Sequence, residues 1–168
     1  MKISPNLNLA EITRSDTAKR HGIDNTPTAE HLENFKLLAD KVFEPIREHF
    51  KTPIFISSGY RSKALNAFIK GSASSQHCKG QAIDIDMDGS NGEVTNRMVF
   101  DFIKNKLDFD QLIWEFGTDF NPDWVHVSFV KTGNRKQKLK AVRSNGKTTY
   151  LPIYWNLPKL LKICILFL

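Results

Sequence analysis

The chain is short of the features that would place it in several large classes. Its two cysteines, Cys78 and Cys164, are too few and too far apart to staple a small secreted domain, and no Cys-x-x-Cys pair marks a structural zinc or a zinc deaminase. A reduced compartment, or a fold indifferent to redox state, follows. Between Met1 and Glu11 there is no apolar core of the length a secretory leader needs, so the chain is expected to be made in the cytoplasm without a signal peptide. The very apolar run Leu160–Leu168 is shorter than the roughly 20 residues of a bilayer span, and it contains Lys162; it reads as a packed or membrane-brushing tail. Acid is missing from one end altogether, since every Asp and Glu lies at or before Asp123 and only Lys and Arg follow. A segment of one sign suits a polyanion such as the anionic polymers of a cell envelope. Nucleic acid is not expected, because aromatic side chains are not interleaved among these lysines as stacking platforms.

What is present is enough for one domain: 168 residues, 40% of them hydrophobic, with 12 Phe to fill a core. From Thr28 to Phe50 the apolar residues Leu32, Phe35, Leu38, Ala39, Val42, Phe43 and Ile46 recur at helical spacing, with Thr28 as N-cap. Ile54–Ile56 reads as a strand running into a turn at Gly59, and Ser62 as the cap of a short helix through Ile69. Gln81–Met87 alternates, with Ala82, Asp84 and Asp86 on one parity, which predicts a strand whose acidic face turns away from the core. Ser90–Glu93 has the form of a capping box before a second helix, Gln111–Phe116 and Trp124–Val130 read as strands, and Ala141–Tyr150 as a hairpin around Asn145-Gly146. The expected fold is α+β, a mainly antiparallel sheet with packed helices, in one domain over residues 1–154 followed by an apolar tail over 155–168.

A divalent metal needs three or four converging ligands, and His and Asp supply the nitrogen and oxygen that zinc accepts. His77 lies seven residues before Asp84, with Gly80 between them to close a turn, and His126 shares strand parity with Trp124 and Ser128, opposite the apolar Val125 and Val127. These three form the candidate zinc site, one ion per chain, with a fourth position left for water as in catalytic rather than structural sites. Such a site needs a base. Asp123, three residues before His126, is placed to take a proton from that water, and Glu115 is the competing carboxylate. Arg61 could polarise a carbonyl or hold a substrate carboxylate. Ser75, Tyr60, Trp114 and Trp124 are expected to line the cleft, and strand alternation places Glu115 either there, against substrate, or in a salt bridge. His21, His31 and His49 read as surface residues, and Cys78 as a residue that projects away from the site.

Three stretches, Ser58-Gly-Tyr-Arg-Ser62, Ser75-Gln-His-Cys-Lys-Gly-Gln-Ala-Ile-Asp84 and Asp123-Trp-Val-His126, together resemble the zinc D-alanyl-D-alanine carboxypeptidases, a family that includes D-alanyl-D-alanine dipeptidases and phage L-alanyl-D-glutamate endopeptidases. The resemblance implies a hedgehog/DD-peptidase-like fold, zinc on His77, Asp84 and His126, Asp123 as general base, and Arg61 in contact with substrate. It also implies a peptidase acting on peptidoglycan as a monomer, made without a signal peptide and reaching the wall after release or on a phage particle. Many relatives have His-x-His where this chain has Trp124-Val-His126. A zinc-stabilised wall-binding module without turnover is the competing expectation.

Overall fold

Thr28 caps the helix that the apolar spacing marks: its side chain accepts from the His31 N–H, and α3 (Ala29–Leu38) follows. The computed structural model describes residues 1–88 and 92–153, so the capping role expected of Ser90 and the tail over 155–168 lie outside the described residues. Beyond α3 the helical path widens into a π-helical turn, Ala39–Phe43, where the Glu44 N–H reaches back to the Ala39 carbonyl, and then continues as α4 (Glu44–Phe50). Pro45 explains the widening, since a proline inside a helix has no N–H to give and its ring crowds the preceding turn. Phe35, Leu38, Val42, Phe43 and Ile46 form one buried stripe along this path, and each is worth about 1.5–3 kcal/mol of burial.

Ahead of it lie a small two-stranded sheet, β1 (Lys2–Ser4) with β2 (Leu7–Asn8), and two short helices, α1 (Leu9–Thr13) and α2 (Asp16–His21). The main sheet has six strands. They are β3 (Ile56–Ser58), β4 (Ala82–Ile85), β5 (Gln111–Glu115), β6 (Trp124–Ser128), β7 (Gln137–Ser144) and β8 (Lys147–Pro152), in spatial order β3-β4-β6-β5-β7-β8. Every neighbouring pair is antiparallel except β5 with β7, so the sheet is mixed. The strand expected at Ile54–Ile56 begins two residues later, because Phe55 is exposed and only Ile56 enters the ladder, opposite Ile85. The hairpin turns at Asn145-Gly146 as expected; both residues have positive φ, 50° and 73°, the pattern of a two-residue type I′ turn. Between β3 and β4 come α5 (Lys63–Phe68), capped by Ser62, and a 3₁₀ turn, Gln76–Lys79. The helix after β4 is α6 (Asn96–Lys106), and Thr95 caps it. None of the described helices is long and apolar enough to cross a membrane.

The strict two-residue period of the central strands separates two faces. Ile83, Val127 and Leu112 stand opposite one another, as do Ile85, Val125 and Trp114, and these residues join the α3–α4 stripe and the α6 residues Val99, Phe100 and Ile103 in one core. The alternate residues, Asp84, His126 and Ile113 in one row and Trp124 and Glu115 in the next, face the other side. The described helices thus hold the sheet from behind, and none of them packs on its polar face.

Candidate metal centre

His77 is carried by the 3₁₀ turn, and two close backbone approaches fix that turn. Gly80 ends it at φ 68°, where a Cβ would lie 2.2 Å from the His31 carbonyl oxygen of α3. The Asn34 side chain donates to the Lys79 carbonyl from the same helix. Below, Gly59 passes so close to α1 that a Cβ would sit 2.4 Å from the Ile12 oxygen, and the Gly59 carbonyl accepts from His77 Nδ1 at 2.7 Å. A carbonyl can only accept, so Nδ1 carries the proton and the Nε2 lone pair faces the sheet.

There it meets β4 and β6, whose register sets Asp84 directly opposite His126. Asp84 Oδ1 lies 2.8 Å from His126 Nδ1 and 3.2 Å from His77 Nε2, and the two ring nitrogens are 3.2 Å apart. All three residues are buried. The edge of a tetrahedron with ligand bonds of about 2.0 Å is about 3.3 Å, so the three electron-rich atoms are spaced as ligands of one small cation. Two imidazole nitrogens and one carboxylate oxygen are a donor set zinc accepts. Burial alone would push the Asp84 carboxyl up, but the facing His77, with His126 beside it, holds it well below the usual carboxylate range.

Arg61 stands behind this triangle. Its Nη2 donates to Asp84 Oδ2 at 2.6 Å and its Nε to Ser58 Oγ at 2.8 Å. The guanidinium expected to be offered to substrate is therefore engaged in orienting a metal-facing carboxylate, as outer-shell groups commonly do. Gln76, next to His77, donates to Asp110 Oδ2 at 2.9 Å, and the buried Asp110 is gripped by Arg135 through Nε at 2.8 Å and Nη2 at 2.5 Å. This ties the metal turn to the basic segment through Asp110, 34 residues after Gln76 and 25 before Arg135, a link with no local signal in the sequence. Cys78 is buried and is not one of the converging donors.

The triangle opens onto a cleft of about 810 Å³. Ser75, Trp124, Glu115 and Arg61 line it, together with Phe116, Thr148 and Tyr150. Two aromatic residues go elsewhere. The Tyr60 N–H is held by the Ile12 carbonyl, which turns the ring onto His31 at 5.2 Å, and Trp114 takes the core face beside Phe100. Asp123 is exposed and is not among the cleft-lining residues; its N–H donates to the Glu115 carbonyl and its carbonyl accepts from Asn96. Glu115 is inside the cleft and buried. Burial first, and the charge of Asp84 second, push its carboxyl up to about 7, against the pull of His126 and Arg61.

That shift carries a stability consequence in the zinc-free protein. Below about pH 4.5 the carboxyl is protonated in both folded and unfolded chains, and between 4.5 and 7 the unfolded chain ionises first, so native stability falls as pH rises through this window. Glu115→Gln is expected to leave zinc-free stability unchanged at pH 4 and to raise it by about 2–3 kcal/mol at pH 8. Urea unfolding at the two pH values checks this, and an equal effect at both would contradict it.

An α+β fold with a buried His-Asp-His triangle at the floor of an open cleft is the arrangement of a metal-binding protein. Residues 5–128 match the model of the Peptidase M15 family, and the chain belongs to that family. The match ends at the last residue of β6 and includes all three metal-facing side chains. The family is zinc-dependent, which agrees with the donor set. No curated protein matches the chain.

Proposed function

We propose that this chain hydrolyses an amide bond in the peptide part of peptidoglycan, as a D,D-carboxypeptidase or an endolysin-type endopeptidase. The observation that carries the reading is the converging triangle of His77, Asp84 and His126 at the floor of a cleft wide enough for a peptide. A zinc ion held by those three would supply Lewis-acid polarisation of a carbonyl and a nucleophile drawn from water at neutral pH. Arg61 keeps Asp84 turned into the site, and the Gly59 carbonyl keeps His77 in the ligating tautomer. Asp123 takes the proton of the attacking water and returns it to the leaving amine, as the family resemblance implies; Trp124 and Ser75 flank the substrate. The basic segment beyond Asp123 holds anionic envelope polymers, and a phage or prophage lysis protein is the setting that the resemblance favours.

A second reading, a zinc-stabilised wall-binding module without turnover, is favoured by one observation: the carboxylate of Asp123 stands outside the cleft lining. Digestion of purified peptidoglycan distinguishes the two. Zinc-loaded protein is expected to release new amine termini detectable by mass spectrometry, to lose this on chelation, and to regain it when zinc is restored. Product size then separates exopeptidase from endopeptidase. Wall binding with unchanged muropeptides would replace the catalytic reading with the binding one.

A further inference from the structure

Arg61 is engaged by Asp84 and Ser58 through Nη2 and Nε, and the opposite wall of the cleft holds a separate donor group within reach of a bound peptide. The strand register places it. On the cleft face Trp124, Glu115, Ala141 and Tyr150 stand opposite one another on four neighbouring strands, β6, β5, β7 and β8. Strands lie about 4.8 Å apart, which sets the Glu115 and Tyr150 backbones about 10 Å from each other. The residue between them is Ala141, whose methyl group leaves the space above the sheet open to longer neighbours. Tyr150 uses that space, lining the same cleft as Glu115, His126 and Asp84, with Thr148 of its own strand beside it.

The phenol's surroundings agree. Burial, and then the negative charges of Glu115 and Asp84, outweigh Arg61 and push the phenol above its ordinary value, so it remains a protonated donor. Tyr150 is 49% exposed, and its hydroxyl makes no hydrogen bond among the described residues. A second aromatic anchor holds the wall that carries it: Phe116 packs edge-on against Trp124 at 5.4 Å, and Arg143 of β7 lies over Phe116 at 4.7 Å.

We propose that Tyr150 is a further catalytic residue of this chain, its phenol O–H donating a hydrogen bond to the carbonyl oxygen of the scissile amide as negative charge grows there. The proton stays on the phenol and no bond to the substrate forms. The inference rests on the peptidase reading above. It places this donor on the β7–β8 hairpin, outside the residues 5–128 that match the family.

The test compares wild type, Tyr150→Phe and Tyr150→Ala as zinc-loaded full-length proteins on purified peptidoglycan, with zinc content and unfolding midpoint measured alongside. Loss of one hydrogen bond to a developing charge predicts that Tyr150→Phe lowers kcat about tenfold or more, with KM, zinc content and unfolding midpoint close to wild type. Unchanged kcat in Tyr150→Phe overturns the proposal. So does a loss seen only in Tyr150→Ala, which would make the ring a packing element over Ala141. A wild-type protein that releases no new termini overturns the peptidase reading and this inference with it, whereas an active wild type with an equally active Tyr150→Phe overturns this inference alone.

Discussion

Asp84→Asn is expected to cost the protein its zinc, its hydrolytic activity and part of its stability together. One carboxylate oxygen faces the two ring nitrogens, at 2.8 and 3.2 Å, and the other accepts from Arg61 at 2.6 Å. An amide of the same shape cannot satisfy both sides. With its nitrogen turned inward it presents hydrogens where lone pairs should converge, and with its nitrogen turned outward it meets the Arg61 donor. Zinc sites are worth about 10–16 kcal/mol over their ligands, so one lost ligand removes about 3–4 kcal/mol, or 10²–10³ in affinity. Arg61, only 19% exposed, would also lose its counter-charge. Breaking a buried pair from one side costs about 3–5 kcal/mol, and some solvent access brings the expected loss to about 2–3 kcal/mol. Metal analysis after gel filtration and urea unfolding measure the two effects separately. Arg61→Ala, which leaves all three donors in place, is expected to weaken zinc by only about 10–100-fold. Stoichiometric zinc in Asp84→Asn would remove the triangle from the site.

Much of this centre could be read in the chain because it is built from local rules. Strand parity alone put Asp84 and His126 on a polar face opposite Ile83, Ile85, Val125 and Val127, and the β4–β6 register then brought them together. His77 was legible through Gly80, whose left-handed conformation closes the turn against α3. The hairpin was legible through Asn145-Gly146. What escaped depends on distant partners. Arg61 looked free because the acceptor that captures it lies 23 residues on, and Tyr60 looked like a cleft residue because nothing local shows that Ile12 holds its backbone. The parallel pairing of β5 with β7 follows from where the chain crosses after β6, which strand periodicity does not encode. Tyr150 shared its strand with residues that read only as a solvated hairpin, and its place beside Glu115 appears only once β7 inserts Ala141 between them.

Asp123→Asn is expected to lower kcat by about 10²–10⁴ while zinc content stays at wild-type level. The backbone of Asp123 is fixed on both sides, by the Glu115 carbonyl and by the Asn96 side chain, each at 2.9 Å. Its exposed carboxylate has no hydrogen bond or ion pair among the described residues, so rotation about its side-chain bonds meets no contact that must first be broken. It lies one residue before Trp124, at the entry to β6. An exposed, unpaired side chain contributes little to folding, and stability should change by no more than about 0.5 kcal/mol. Glu115→Gln is the necessary comparison. The burial that pushes Glu115 up to about 7 acts in the zinc-free protein, and a dication in the triangle would draw that value down. Position must then separate the two carboxylates. If Glu115→Gln collapses kcat with zinc retained while Asp123→Asn turns over normally, the proton is taken from within the cleft. If both variants hydrolyse wall peptides at the wild-type rate, neither carboxylate is the base.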